Sequence, residues 1–228
     1  MDSQSVRVII VDDHSMVRQG IRMLLEQFEG IHVIGEAANG LEAIELVEQL
    51  QPDVILMDLT MPVMDGIEAT NKITARHPNQ RVLILTGLLD NENLLKAIQA
   101  GAQGCIDKTT EPDDLVQSIR DVCSGKPSLS AGIAWRILRG MTDERPPGQP
   151  KDKLSDREIQ ILRLLTQGKL DGEIAQELVL TEVTIRTHIS RILSKLGLEN
   201  RVQAALYGLR TGLVSIGETA DVFDARWR

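Results

Sequence analysis

The sequence predicts two folded units: a doubly wound α/β domain around a five-stranded parallel sheet, then a four-helix all-α domain. Three observations predict this. Short aliphatic runs alternate with helix-period stretches five times up to Cys123. The alternation stops at a stretch rich in proline and glycine. The remainder of the chain carries helix signals alone. Strands that are apolar at nearly every position belong to parallel sheets covered on both faces, and repeated strand–helix units wind such a sheet doubly.

The elements come in this order. Val6–Val11 is a β-branched run, and Ser15 opens a helix with Val17, Ile21, Leu24, Leu25 and Phe28 on one face. Ile31–Glu36 is a second strand and Leu41–Leu50 a second helix, with Ile44, Val47 and Leu50 apolar. Asp53–Met57, Arg81–Leu85 and Gly104–Ile106 are the remaining strands; Ile67–Arg76, Asn91–Gln99 and Pro112–Cys123 are the remaining helices. The first domain therefore spans residues 1–125. Residues 126–152 read as a linker: Ser124–Lys153 contains Pro127, Pro146, Pro147, Pro150 and four glycines, with a short helix expected around Gly132–Leu138. In residues 153–228, Ser155 and Glu158 form a capping box before Ile159–Leu165. Helices over Asp171–Leu178, Thr181–Leu196 and Asn200–Thr211 come next, then a tail without clear pattern.

Composition narrows the function classes. The chain has 228 residues, 42% apolar and 25% charged, which is ordinary globular composition. No apolar run approaches the roughly 20 residues of a membrane span, and the first residues lack a secretory pattern. Cys105 and Cys123 form neither a metal-spaced nor a disulfide pattern, so a reduced, cytoplasmic protein with no membrane partner is expected. The net charge of −8 is unevenly placed: 12 Lys+Arg against 20 Asp+Glu through Arg139, and 13 of each thereafter. The second half is free to meet phosphates.

Four strand ends carry chemistry. Asp12 and Asp13 follow the first strand and Asp58 the third. Like charges brought together repel unless a cation or proton intervenes, and an oxygen-only set suits Mg²⁺. Alone, the same residues could be solvated acids capping helices. Thr86 after the fourth strand and Lys108 after the fifth add a hydroxyl and an ammonium. A carboxylate nucleophile, a metal, a hydroxyl and an ammonium are what phosphoryl transfer onto aspartate requires. Two enzyme readings fit less well. A phosphatase with an aspartate nucleophile usually has a second acid two residues on, where this chain has Thr60; a flavin site needs a phosphate loop where Asp12 and Asp13 would repel it.

In the second half, Ile185, His188, Ile189, Ile192 and Leu196 share one face of the third helix, so His188 reads as a core histidine. The opposite face carries Arg186, Thr187, Ser190 and Ser194, flanked by Arg191 and Lys195. Arginine with small hydroxyl residues suits base edges and phosphates, although a solvated polar face has the same composition.

Over Val6–Cys123 the sequence resembles the flavodoxin-like receiver domain of two-component response regulators. The match includes Val11-Asp12-Asp13, Met57-Asp58-Leu59, Met61-Pro62, Asp65-Gly66, Leu85-Thr86, Gly101-Ala102 and Lys108. The resemblance implies Asp58 as phosphoacceptor, Asp12, Asp13 and Asp58 as Mg²⁺ ligands, and Thr86 and Lys108 as phosphate-sensing residues. It also implies a histidine kinase as phosphodonor, and no enzyme activity beyond self-phosphorylation. Cys105 stands where receivers usually carry an aromatic side chain, so the rotation that couples such a ring to Thr86 is not expected here. Over Lys153–Gly212, Leu154-Ser155-Asp156-Arg157-Glu158, Glu173-Ile174-Ala175, Thr184-Ile185-Arg186-Thr187-His188 and Arg201-Val202-Gln203-Ala204 look like the LuxR-type helix-turn-helix of the NarL/FixJ group. That resemblance implies DNA contacts at Thr184, Arg186, Thr187, Ser190, Arg191, Lys195 and Arg201. It implies a homodimer when active on an operator, expected as an inverted repeat, with Val202, Ala205, Leu206 and Leu209 in the dimer contact. Ser190 and Gly172 depart from the lysines frequent at their positions.

Overall fold

The computed structural model describes residues 5–87, 91–129, 154–198 and 200–214. The helix expected around Gly132–Leu138, most of the expected linker and the tail lie outside the described residues. The chain divides into two compact units, residues 1–128 and 129–228.

The first unit alternates β1 (Val6–Val11), α1 (Ser15–Leu25), β2 (Ile31–Ala37), α2 (Gly40–Leu50), β3 (Val54–Asp58), α3 (Gly66–Arg76), β4 (Arg81–Thr86), α4 (Asn91–Gln99), β5 (Gly104–Asp107) and α5 (Pro112–Cys123). A two-residue β6, Ser128–Leu129, was not expected and extends the edge; Ser128 N donates to Gln103 O at 3.1 Å. The sheet order is β2-β1-β3-β4-β5-β6, and the first five strands run parallel. The chain order reverses beside β1, so the crevice for a ligand lies at the carboxyl ends of β1 and β3.

Strand alternation sorts the core. Val8, Ile10, Val54, Leu56, Leu83, Leu85 and Ile106 point to one face, where α1 and α5 cover them with Leu25, Val116, Ile119 and Val122. The alternate residues Ile9, Ile55, Met57, Val82, Ile84 and Cys105 are equally buried on the other face. Each large aliphatic side chain so buried contributes about 1.5–3 kcal/mol, which compensates for the scarcity of aromatics. Helix starts are written locally: Asn39 accepts from Leu41 N and Glu42 N, and Asp65 from Glu68 N. Asp53, expected to begin the third strand, instead accepts the Arg7 amide at 2.8 Å, and β3 runs on to Asp58.

In the second unit α6 (Asp156–Thr166), α7 (Asp171–Leu178), α8 (Glu182–Leu196) and α9 (Arg201–Arg210) enclose one core of Ile161, Leu165, Ile174, Ile185, Ile192 and Ala204. Both halves of the Ser155–Glu158 capping box form. Thr181, expected as the first helical residue of α8, is its N-cap. α9 crosses α6 at Gly208, where any Cβ would collide with the buried side chain of Thr166. The turn between α7 and α8 holds Val179 at φ 54°, ψ 50°, and that side chain is 90% exposed. A β-branched residue in the left-handed region is strained and gains nothing here by burial. Val179→Asn is therefore expected to stabilise this unit by about 1 kcal/mol, read as a raised midpoint in urea; an unchanged or lowered midpoint would contradict the strain.

Candidate functional site

The ends of β1, β3, β4 and β5 bring the predicted pocket together. Asp12 follows β1 and is 1% exposed; Asp58 closes β3 and Thr86 closes β4, both buried. Lys108 follows β5, and its amide donates to Thr86 O at 2.8 Å. The Lys108 Nζ lies 2.5 Å from Asp12 Oδ2 and 3.1 Å from Asp58 Oδ2. Leu59 N donates to Asp58 Oδ1 at 2.9 Å, which fixes the carboxylate rotamer and leaves Oδ2 to the pocket. Asp12 is held further by the His14 amide at 2.8 Å.

The electrostatics result from this packing. Burial pushes the Asp58 carboxyl above the usual range, against the pull of Lys108. Burial works against the Lys108 ammonium, but Asp12 and Asp58 outweigh it and hold its pKa above the ordinary value. Two carboxylates thus share one ammonium. Asp13 Oδ1 is buried without a hydrogen-bond donor; His14 Nδ1 lies 2.7 Å away but outside hydrogen-bonding geometry. Asp12, Asp13 and His14 bring their ligand atoms within 4.8 Å of one another, and a carboxylate oxygen there without a donor fits a hard divalent cation.

The exposed face of α8 carries Val183, Arg186, Thr187, Ser190, Arg191 and Ser194, while Ile185, Ile189, Ile192 and Leu196 are buried. His188 is half-buried, with Nδ1 unpartnered. The Arg186 guanidinium meets Asp171 at 3.3 Å and Glu182 at 3.0 Å. Such exposed pairs contribute about 0–1 kcal/mol and exchange readily for phosphate. Thr184 is tied to the N-cap, its hydroxyl 2.9 Å from that of Thr181.

Lys195 and Arg201, expected as DNA contacts, are committed inside the unit. Lys195 Nζ meets Glu158 Oε2 at 2.8 Å, and Glu158 is 4% exposed. Arg201 donates to Asp171 Oδ1 at 2.6 Å and to the Lys169 carbonyl, joining α9 to the start of α7. The expected dimer residues Val202, Ala205, Leu206 and Leu209 are all buried, the most exposed being Leu209 at 9%. Their stripe therefore offers no free surface in this conformation. Sequence reasoning misses Val183 and Val179, which are 70% and 90% exposed; the signal is present as a valine on the polar face of α8 and another in the turn before it.

The Lys195 hydrogen bond, with the Ser155 amide, holds the Glu158 carboxyl down at about 2. A carboxyl depressed on folding stabilises above its unfolded value of 4.5, and that stability is lost as pH falls through the folded value. Unfolding followed between these two values is expected to show a steep acid limb that Glu158→Gln flattens. Lys195→Ala should lower stability at neutral pH by about 2 kcal/mol. Unchanged stability in Lys195→Ala would release that lysine for another role.

Residues 8–120 match the response regulator receiver domain, and residues 152–207 match the luxR family of bacterial regulatory proteins. The transcriptional regulatory protein LiaR of Bacillus subtilis is 40% identical over 92% of this chain and 100% of its own length. The response regulator protein VraR of Staphylococcus aureus is 37% identical over 92% of this chain and 99% of its own length. Among solved structures, the response regulator ChrA of a heme-sensing two-component system is 33% identical, covers 92% of this chain and 100% of its own, and has a TM-score of 0.52. RcsB, solved as two dimers bound to two parallel DNAs, is 28% identical over 92% of this chain and 100% of its own, with a TM-score of 0.54.

Proposed function

This chain belongs to the two-component response regulators that join a receiver domain to a LuxR-type helix-turn-helix, and from that premise we propose that phosphorylation of Asp58 controls its binding to DNA. The observation that carries this reading is the reach of Lys108 Nζ to Asp58 Oδ2, at 3.1 Å across a buried pocket.

The Asp58 carboxylate attacks the phosphorus of a histidine kinase's phosphohistidine; the P–N bond breaks and an acyl phosphate forms. The Lys108 ammonium pairs with a phosphoryl oxygen and Thr86 donates to another. Asp12, Asp13 and Asp58 would hold Mg²⁺, which when bound neutralises charge on the phosphoryl oxygens. Asp13→Asn is expected to weaken Mg²⁺ binding at least tenfold by calorimetry, since it discharges the oxygen that lacks a donor. Unaltered affinity would remove Asp13 from the ligand set.

On the output side, Arg186, Thr187, Ser190 and Arg191 face the major groove, with Thr184 at the helix start. Lys195 and Arg201 position α8 and α9. The active form is a homodimer on an inverted repeat; a contact through α9 requires Val202, Leu206 and Leu209 to be uncovered first. Among the described residues no helix is long and apolar enough to cross a membrane; action in the cytoplasm belongs to the regulator reading itself. The protein is a regulator, with self-phosphorylation its only chemistry. The test is selection from random duplex DNA by full-length protein, with Mg²⁺, in the presence and absence of beryllofluoride. Enrichment of a paired motif only with beryllofluoride is expected. Equal enrichment in both arms would separate DNA binding from Asp58.

A further inference from the structure

The exposed stripe of α8 opens with the methyl groups of Val183 and Thr187. Val183 is 70% exposed in the first turn of the helix, where neighbouring positions are polar. Thr187 lies one turn further along the same face, and its hydroxyl proton is used within the helix, donated to Val183 O at 2.9 Å. The exposed residues that continue the stripe, Ser190 and Ser194, are small. Arg186 beside it is held by Glu182 and Asp171, and Arg191 flanks it further along. These exposed pairs exchange readily for phosphate, which suits Arg186 to the backbone beside the groove.

Covering an exposed valine with an apolar group removes surface from water, and the apolar group on the floor of a major groove is the thymine 5-methyl. Resting on the DNA-binding reading above, we infer that Val183 and the methyl of Thr187 read thymine 5-methyl groups, so that thymines set the base preference of each half-site. The short side chains at Ser190 and Ser194 let α8 approach closely enough for this contact. Arg186 and Arg191 then serve the flanking phosphates.

The experiment uses full-length protein with beryllofluoride and a duplex recovered by selection. Each thymine is replaced singly by deoxyuridine, which deletes the methyl and keeps every hydrogen-bonding group. One or two positions per half-site are expected to weaken binding roughly fourfold each, the effect of one buried methyl. In Val183→Ala the deoxyuridine penalty should vanish at one of those positions and persist elsewhere. Thr187→Ser, which keeps the hydroxyl and removes the methyl, should silence the other. Both residues are exposed, so thermal unfolding should not change. Binding that is indifferent to every deoxyuridine, or penalties that stay the same in both variants, would overturn the inference while leaving DNA binding intact. Recovery of no DNA in any arm would overturn the DNA-binding reading itself, and this inference with it.

Discussion

Asp58→Asn is expected to abolish phosphorylation of the protein by a kinase or a small phosphodonor, read as loss of the single phosphoryl mass increment in intact-protein mass spectrometry. The substitution is nearly isosteric. It keeps an oxygen for the Leu59 amide, which donates to Asp58 Oδ1 at 2.9 Å, so the β3 end should stay folded. It removes the anion that must attack phosphorus and leaves Lys108 facing an amide instead of Oδ2 at 3.1 Å. The neutral side chain also removes a buried charge and its repulsion with Asp12, so the variant should be at least as stable as the parent. Full phosphorylation of Asp58→Asn would place the acceptor elsewhere. Asp12 would then be the next residue to test, because it shares the Lys108 ammonium at 2.5 Å.

Gly66→Ala should destabilise the first unit by about 3 kcal/mol. Gly66 opens α3 directly against the end of β3, and its amide donates to Leu59 O at 2.9 Å. A Cβ there would overlap the Asp58 carbonyl oxygen and stand 2.9 Å from Asp58 C and 3.0 Å from Leu59 Cα. All of these are backbone atoms, which cannot rotate away as a long side chain would. The strain would be delivered to the residue that carries the phosphoacceptor. Hydrogen exchange is the appropriate measurement, since amides of β3 and α3 should lose protection while those of α6–α9 serve as an internal reference. Equal protection in parent and variant would show that β3 can shift at little cost.

Much of the fold and the pocket is legible in the sequence. Val6–Val11 and Pro112–Cys123 read correctly, and Arg81–Leu85 to within the one residue Thr86, because period and capping are local properties. The pocket is legible too, because parallel strands of similar length deliver their following residues to one rim. Cys105, standing where an aromatic side chain is usual, is a thiol fully buried beside Ile84. The sixth strand escapes because two residues carry no period. Lys195 and Arg201 read as outward cations from their places on their own helices, but each has a carboxylate waiting on another element, 37 and 30 residues away.

The sequence alone determined the two-unit architecture, the rim of Asp12, Asp13, Asp58, Thr86 and Lys108, and the apolar face of α8. Only the tertiary structure decided which charges are spent internally: Lys195 on Glu158, Arg201 on Asp171, Lys108 on Asp12 and Asp58. The reason is physical. Periodicity fixes the direction in which a side chain leaves its own element, whereas an ion pair depends on what another element places within a few ångströms of that side chain's end.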